Sequence, residues 1–254
     1  MFSVEDRDRI RDWILRMAEG DSRVVAAAVV GSLAHGGGDR WSDLDLTFGV
    51  ADGVALAQVL DDWTHKIAAS FDAVHLFDLP HRDSLYRVFL FPGNLQVDLS
   101  CTPASTFGAT SPKFRLLFGK AVEKAHNVPP SAHELFGYAV HHALRARFSI
   151  ARRRYWLAEY WISSLRDYAL TLACRRRGLP AFYGRGFDDL PADVLDHFRR
   201  ALVRSLDRDE LMRALEEAIE GLLQEAAEVP DIAAKAGPQL RLLLEDWDLE
   251  PQKA

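Results

Sequence analysis

Cysteine is nearly missing from this chain. Its 254 residues include two, Cys101 and Cys174, far apart and at no metal or redox spacing. They read as small buried hydrophobes of a reducing compartment rather than a disulfide framework. No apolar run approaches the ~20 residues that span a bilayer. The N-terminal text, Met1-Phe2-Ser3-Val4-Glu5-Asp6-Arg7-Asp8, is charged and has no apolar core of the kind that marks a signal peptide. An excess of positive charge is missing too. The formal net charge is -6, so composition gives no global attraction to nucleic acid or to a membrane surface. Internal repeats and low-complexity tracts are absent. These absences predict a cytoplasmic protein with neither a membrane nor a nucleic acid as partner.

What is present is a normal core complement, 48% hydrophobic, in a chain long enough for one large domain or two ordinary ones. Charge is unevenly spread. Residues 1–110 hold 16 acids and 9 bases, residues 141–177 hold 9 arginines and 2 acids, and residues 188–250 hold 17 acids and 7 bases. A basic segment between two acidic ones is either a structural accident or a wall facing an anionic ligand.

Periodicity predicts an amphipathic helix over 4–19, capped by Ser3 with Asp6 three residues on and ended by Gly20. Strands are expected over 24–30 and 44–50, with a glycine-rich loop at 33–42 between them. A helix follows at 54–69, with Leu56, Val59, Leu60 and Trp63 as its buried stripe. Strands at 73–79, 85–91 and 95–100 come next, the last two joined into a hairpin by Pro92-Gly93-Asn94. Residues 102–130 read as a punctuated linker with one short helix around 113–118. Beyond it the text is helical: 131–148, 151–177, 191–205, 208–228 and 239–247, with Arg177-Gly178-Leu179-Pro180 as a stop. The fold class expected is α+β, a small mixed sheet with flanking helices followed by an all-helical domain. The expected boundaries are 1–105, a linker at 106–130, and 131–254.

The chemistry concentrates in one stretch, Val29-Val30-Gly31-Ser32, a spacer, then Trp41-Ser42-Asp43-Leu44-Asp45-Leu46. Strand alternation places Asp43 and Asp45 on one face, with Leu44 and Leu46 turned into the protein. Like charges held so close favour a cation between them. A third acid, Asp98, alternates with Val97 and Leu99 on a later strand. Three carboxylates on adjacent strands can hold two divalent ions about 3.5–4 Å apart. Gly31 permits close backbone approach to a phosphate, and the Ser32 hydroxyl with the turn amides can bind phosphate oxygens.

The pattern of Gly-Ser, a ten-residue spacer, Asp-hydrophobic-Asp and a downstream acid resembles the nucleotidyltransferase superfamily whose core is shared with DNA polymerase beta. Gly31, Ser32, Asp43, Asp45 and Asp98 match it position by position over about 70 residues. The helical half is similar in length and architecture to that of single-chain antibiotic adenylyltransferases, without a diagnostic motif. The resemblance implies transfer of a nucleoside monophosphate, AMP from ATP or its counterpart from another NTP, to a hydroxyl of a small acceptor, with pyrophosphate leaving. Mg²⁺, two ions, would sit on Asp43, Asp45 and Asp98, the last as ligand or as proton acceptor. In such enzymes the helical domain faces the metals and contacts the acceptor.

The remaining candidates are less committed. Ser42 either holds a turn or touches the nucleotide, and His35 either reaches a phosphate or is an exposed loop side chain. Asp39 and Arg40 are expected in solvent. Trp41 could stack on a base, and most tryptophans are expected in the core. At helical spacing Arg152, Tyr155, Glu159, Ser163 and Arg166 form a polar stripe, with Leu157, Trp161, Leu165 and Tyr168 as core. Glu159, Arg166 and Asp167 are the acceptor-binding candidates, unless they only bridge helices. Arg185, in Tyr183-Gly184-Arg185-Gly186, is a nucleotide-binding candidate, or part of a turn into a helix capped by Asp189. Arg175-Arg176-Arg177 complements a helix C-terminus and is expected in solvent. An aminoglycoside-type acceptor suits the acidic surroundings. The rival readings are a protein-AMPylating enzyme resembling antitoxins, which are usually a minimal domain alone, and a non-catalytic nucleotide-binding regulator. Three carboxylates argue against the second, and the negative net charge argues against a polymerase. The protein is expected to act as a monomer or a homodimer.

Overall fold

A computed structural model describes residues 1–125 and 128–245. The chain divides into two compact units, Met1–Val128 and Pro129–Ala254.

The first unit opens with helix α1, Val4–Glu19. Its start is fixed by a capping box in which the Ser3 hydroxyl accepts from the Asp6 amide while Asp6 accepts from the Ser3 amide. Ile10, Ile14 and Ala18, at the four-residue period, are its buried stripe. Strand β1, Val24–Val30, follows. A 3-10 turn at Gly31–His35 and a loop lead to β2, Leu44–Val50. Helix α2, Leu56–Phe71, buries Val59, Leu60, Trp63 and Ile67. Strands β3, Val74–His81, β4, Ser84–Phe91, and β5, Leu95–Pro103, form a meander. The β4–β5 turn is the expected one, with Gly93 and Asn94 both at positive φ.

The sheet order is β3-β4-β5-β2-β1-β6. Strands β2 and β5 run parallel, and the other neighbours are antiparallel. Strand β6, Phe114–Phe118, corrects the expected short helix around 113–118. A five-residue apolar run carries no period that separates helix from strand, and the free edge of β1 supplies the ladder that decides it. Leu44, Leu46, Phe48, Val97, Leu99 and Cys101 are buried and join the core formed with α1 and α2. By alternation Asp45, Thr47, Asp98 and Ser100 take the opposite face. Burial pushes the Cys101 thiol up to about 12, so it is packing, not chemistry.

One buried cation ties this sheet together. Arg87 is 4% exposed. It forms a two-pronged bond to Asp78 at 2.7 and 2.6 Å and reaches Asp61 of α2 at 2.8 Å. Arg87→Ala is expected to destabilise the protein toward the low end of about 3–5 kcal/mol, because both partner acids keep some access to water. Urea unfolding checks this.

The second unit is helical: α3, Ala132–Ala151, α4, Tyr155–Arg176, α5, Ala192–Arg200, α6, Arg208–Glu225, and α7, Pro230–Leu242. Helices α3, α4 and α6 share the main core, built on Phe136, Ala143, Ile162, Leu165, Leu215 and Ile219. Several expectations need correction. Arg152 caps α3 and Arg153 has positive φ, so the arginines at 152–154 form a turn and not the start of α4. Leu157 is 39% exposed and Trp156 77% exposed. Among the described tryptophans only Trp63 is fully buried. Pro191, not Asp189, is the N-cap of α5. The last helix starts at Pro230 and ends at Leu242, and Trp247 lies outside the described residues. Arg176 and Arg177 are not merely solvated. Both bond the nearly buried Glu225, and Arg175 bonds Glu228.

Candidate active site

The site is built where β1 ends and β2 begins. Gly31 has φ +71°, a left-handed conformation that turns the chain sharply out of β1. A Cβ added there would collide with Asp45 Oδ2. The missing side chain is therefore the space the Asp45 carboxylate occupies. Ser32 follows in the turn, half-buried. His35 is exposed and its Nε2 lies 2.9 Å from the Pro112 carbonyl oxygen.

The loop before Asp43 is closed on itself. The Asp39 carboxylate accepts from the Trp41 amide at 2.8 Å and the Ser42 hydroxyl at 3.2 Å, and the Ser42 hydroxyl accepts from the Asp39 amide at 3.0 Å. The Trp41 amide, with Ser42, holds the Asp39 carboxyl below its usual range. Asp39 is therefore a structural acceptor rather than a merely solvated acid, and the Ser42 hydroxyl serves the turn. Trp41 is 59% exposed, with the Arg40 guanidinium 4.1 Å from its ring centre.

Strand register brings two of the three carboxylates together, and Asp43 lies just ahead of β2. Asp45 of β2 and Asp98 of β5 are direct partners in the parallel ladder, so their side chains emerge on one face side by side. All three acids are half-buried. Burial raises the Asp98 carboxyl above its ordinary value, and the Asp43 charge adds to this. A hydrogen bond donated by Gln96 at 3.0 Å works the other way. Two residues further along the same face, Ser100 donates to Thr47 at 2.8 Å, next to the phenol of Tyr86. Burial raises the Tyr86 phenol, and the nearby Asp45 charge pushes it the same way. The alternation that identified Asp98 also places Ser100 and Thr47 on this face. Nothing in the text points to Tyr86, which joins them only through the β4–β5 register.

These donors are hard oxygens on an open edge. Among the described residues no three His, Cys, Asp or Glu side chains are already drawn together as a metal cage. The carboxylate set suits Mg²⁺, which is held by one or two carboxylates plus substrate phosphates and water. A dication there would relieve the burial and the Asp43 repulsion that raise the Asp98 carboxyl.

The raised pKa has a stability consequence. A buried Asp costs stability where it is ionised, above its folded pKa, and costs nothing below its unfolded pKa. Asp98→Asn is therefore expected to raise the melting temperature of the metal-free protein near neutral pH. The gain shrinks to nothing as pH falls through the carboxylate range. Melts in chelator across that range check it, and a gain independent of pH would reject burial as its cause.

Other candidates lie in the second unit. Glu159 accepts from Ser163 at 2.7 Å within α4, and Arg166 bonds Asp167 at 3.3 Å. Arg185 is exposed beside a 3-10 turn in which Tyr183 has positive φ. No helix among the described residues is long and apolar enough to cross a membrane.

No protein-family model matches the chain, and no curated protein matches it. Among solved structures it is similar to an aminoglycoside 6-adenyltransferase from Bacillus subtilis, with a TM-score of 0.40 and 13% identity over 97% of this chain and 100% of that one. That likeness is too slight to bear on function, which rests on the residues above.

Proposed function

We propose that the chain is a divalent-metal-dependent nucleotidyltransferase that moves a nucleoside monophosphate, AMP from ATP in the simplest case, onto a hydroxyl of a small acceptor. One observation carries the reading. Asp45 and Asp98 are register partners on parallel strands, with the Asp45 carboxylate lodged in the space left by Gly31. A phosphate-type turn and a carboxylate row thus share one edge, next to Asp43.

On this reading Asp43 and Asp45 hold Mg²⁺, and Asp98 either completes a second metal position or takes the proton of the attacking hydroxyl. Bound metal supplies charge neutralisation at the phosphate under attack. Gly31 and Ser32 present backbone amides and a hydroxyl to the β/γ-phosphates. A carboxyl raised by burial makes Asp98 a stronger proton acceptor than an ordinary aspartate. Glu159, Arg166 and Asp167 are assigned to acceptor binding and Arg185 to the nucleotide, while the Ser42 hydroxyl, taken up by the turn, drops out as a nucleotide contact; an aminoglycoside-type polycation is the acceptor class favoured by the acidic composition.

The test is incubation with Mg²⁺, ATP or other NTPs, and a panel of aminoglycosides, lincosamides and proteins, read by pyrophosphate release and product mass. Transfer to a small hydroxylated acceptor is the expected result. Modification of a protein alone would favour the AMPylating alternative, and no transfer with no Mg-nucleotide binding would sink the enzyme reading. For a cationic acceptor, Glu159→Gln is expected to raise KM by about 10-fold, one lost charge-assisted bond, with kcat little changed in steady-state assays.

A further inference from the structure

Helix α1 carries a residue that belongs to neither the carboxylate row nor the phosphate turn. Arg7 is 4% exposed, a cation in the wall beneath the loop. Its Nη1 donates to the carbonyl oxygens of Asp39 at 2.7 Å and Ser42 at 2.8 Å. Those carbonyls are the two ends of the turn closed by the Asp39 and Ser42 side chains, and the second belongs to the peptide bond that leads into Asp43. Among the described residues its Nε is buried with no partner. A buried arginine is costly unless hydrogen bonds compensate it, and the two bonds to the turn do so here.

What it holds is a carboxylate with reason to leave. Asp43 lies just ahead of β2, two residues before Asp45, the register partner of half-buried Asp98, so it adds a third like charge at that edge. Without a cation, repulsion drives Asp43 away from the row. The turn at 39–42 cannot resist this alone, since its side-chain bonds are all local and exposed. Arg7 is the long-range tie, bonding across 32 and 35 residues of sequence. Its base is rigid, because α1 is fixed by its capping box and by Ile10 and Ile14 in the core.

We infer that Arg7 is a positioning residue that holds the backbone of Asp43 beside the Asp45–Asp98 pair before metal arrives, and so sets the affinity of the site for divalent cation and nucleotide. This rests on the carboxylate row being a metal site. Arg7 touches neither metal nor substrate. It acts by fixing the backbone on which one ligand rides, as outer contacts of metal ligands do elsewhere, where their loss costs about 10–100-fold in affinity.

The experiment uses the full chain and Mn²⁺ as probe, with and without ATP, titrated by electron paramagnetic resonance. Hydrogen exchange of the metal-free protein is followed alongside. Arg7→Met is expected to weaken Mn²⁺ binding by about 10–100-fold and to speed exchange at the amides of Trp41 to Asp43, while those of α2 and β5 keep their protection. Arg7→Lys, whose single ammonium can keep part of the bonding to the two carbonyls, is expected to fall between Arg7→Met and the wild type. It also remains informative if Arg7→Met fails to fold. Wild-type affinity in a folded Arg7→Met or Arg7→Lys, or unchanged exchange at 41–43, overturns the inference and leaves the metal reading standing. Absence of Mn²⁺ binding by the wild type overturns both.

Discussion

Asp45→Asn is expected to lower nucleotidyl transfer by about three orders of magnitude, equivalent to ~4 kcal/mol of lost charge stabilisation. Asp45 is central by geometry. It is the register partner of Asp98 and lies against Gly31. Asparagine keeps the shape and removes the charge, so the fold should persist. Circular dichroism and melting curves close to wild type, with pyrophosphate release reduced to background and Mn²⁺ binding weakened, form the expected set. The double variant Asp43→Asn/Asp45→Asn should be inert. Full activity in that variant would remove the metal assignment altogether.

Gly31→Ala should be as damaging by a different route. Alanine at φ +71° pays about 1–2 kcal/mol for the left-handed conformation. Its methyl also enters the space of Asp45 Oδ2, so the carboxylate must leave its place or the turn must shift. Two losses should therefore appear together: about 2 kcal/mol of stability by urea unfolding, and a fall of about 100-fold or more in kcat/KM. A variant that lost stability but kept its activity would show that the turn and the carboxylate do not depend on one another. Gly36, also at positive φ but with open space around it, is the natural control, since alanine there meets only the backbone cost.

The parts legible in the text were those fixed by local physics. The capping box at Ser3 and Asp6, the Pro92-Gly93-Asn94 turn and the strands around Asp45 and Asp98 each depend on residues close in sequence, and the structure shows each of them. Period-two alternation pointed to Asp43 and Asp45 on one face and set Asp98 apart from its apolar neighbours, whereas the register makes Asp45 and Asp98 direct partners and leaves Asp43 just ahead of β2. What stayed hidden depends on distant partners. Strand β6 exists because β1 had an edge to offer. Arg7 looks like one charge among several in a polar helix, yet its two acceptors are 32 and 35 residues away. Arg176 and Arg177 looked like a solvated helix end, and their acid, Glu225, comes from another helix. Trp156 and Leu157 looked like core because apolar residues usually are, but large apolar side chains also face water in folded proteins.

The parallel pairing of β2 with β5 also bears on how the molecule assembles itself. Thr47 and Ser100 meet across 53 residues of chain, and the intervening α2, β3 and β4 must be threaded before that ladder can close. Hairpins such as β4–β5 can form early from neighbouring residues, whereas a parallel pair pays its loop-closure entropy before any reward. The carboxylate row therefore comes into being only with a long-range closure of the sheet, so a dication that binds it is a ligand of the folded protein rather than of the unfolded chain. It would slow unfolding more than it speeds folding.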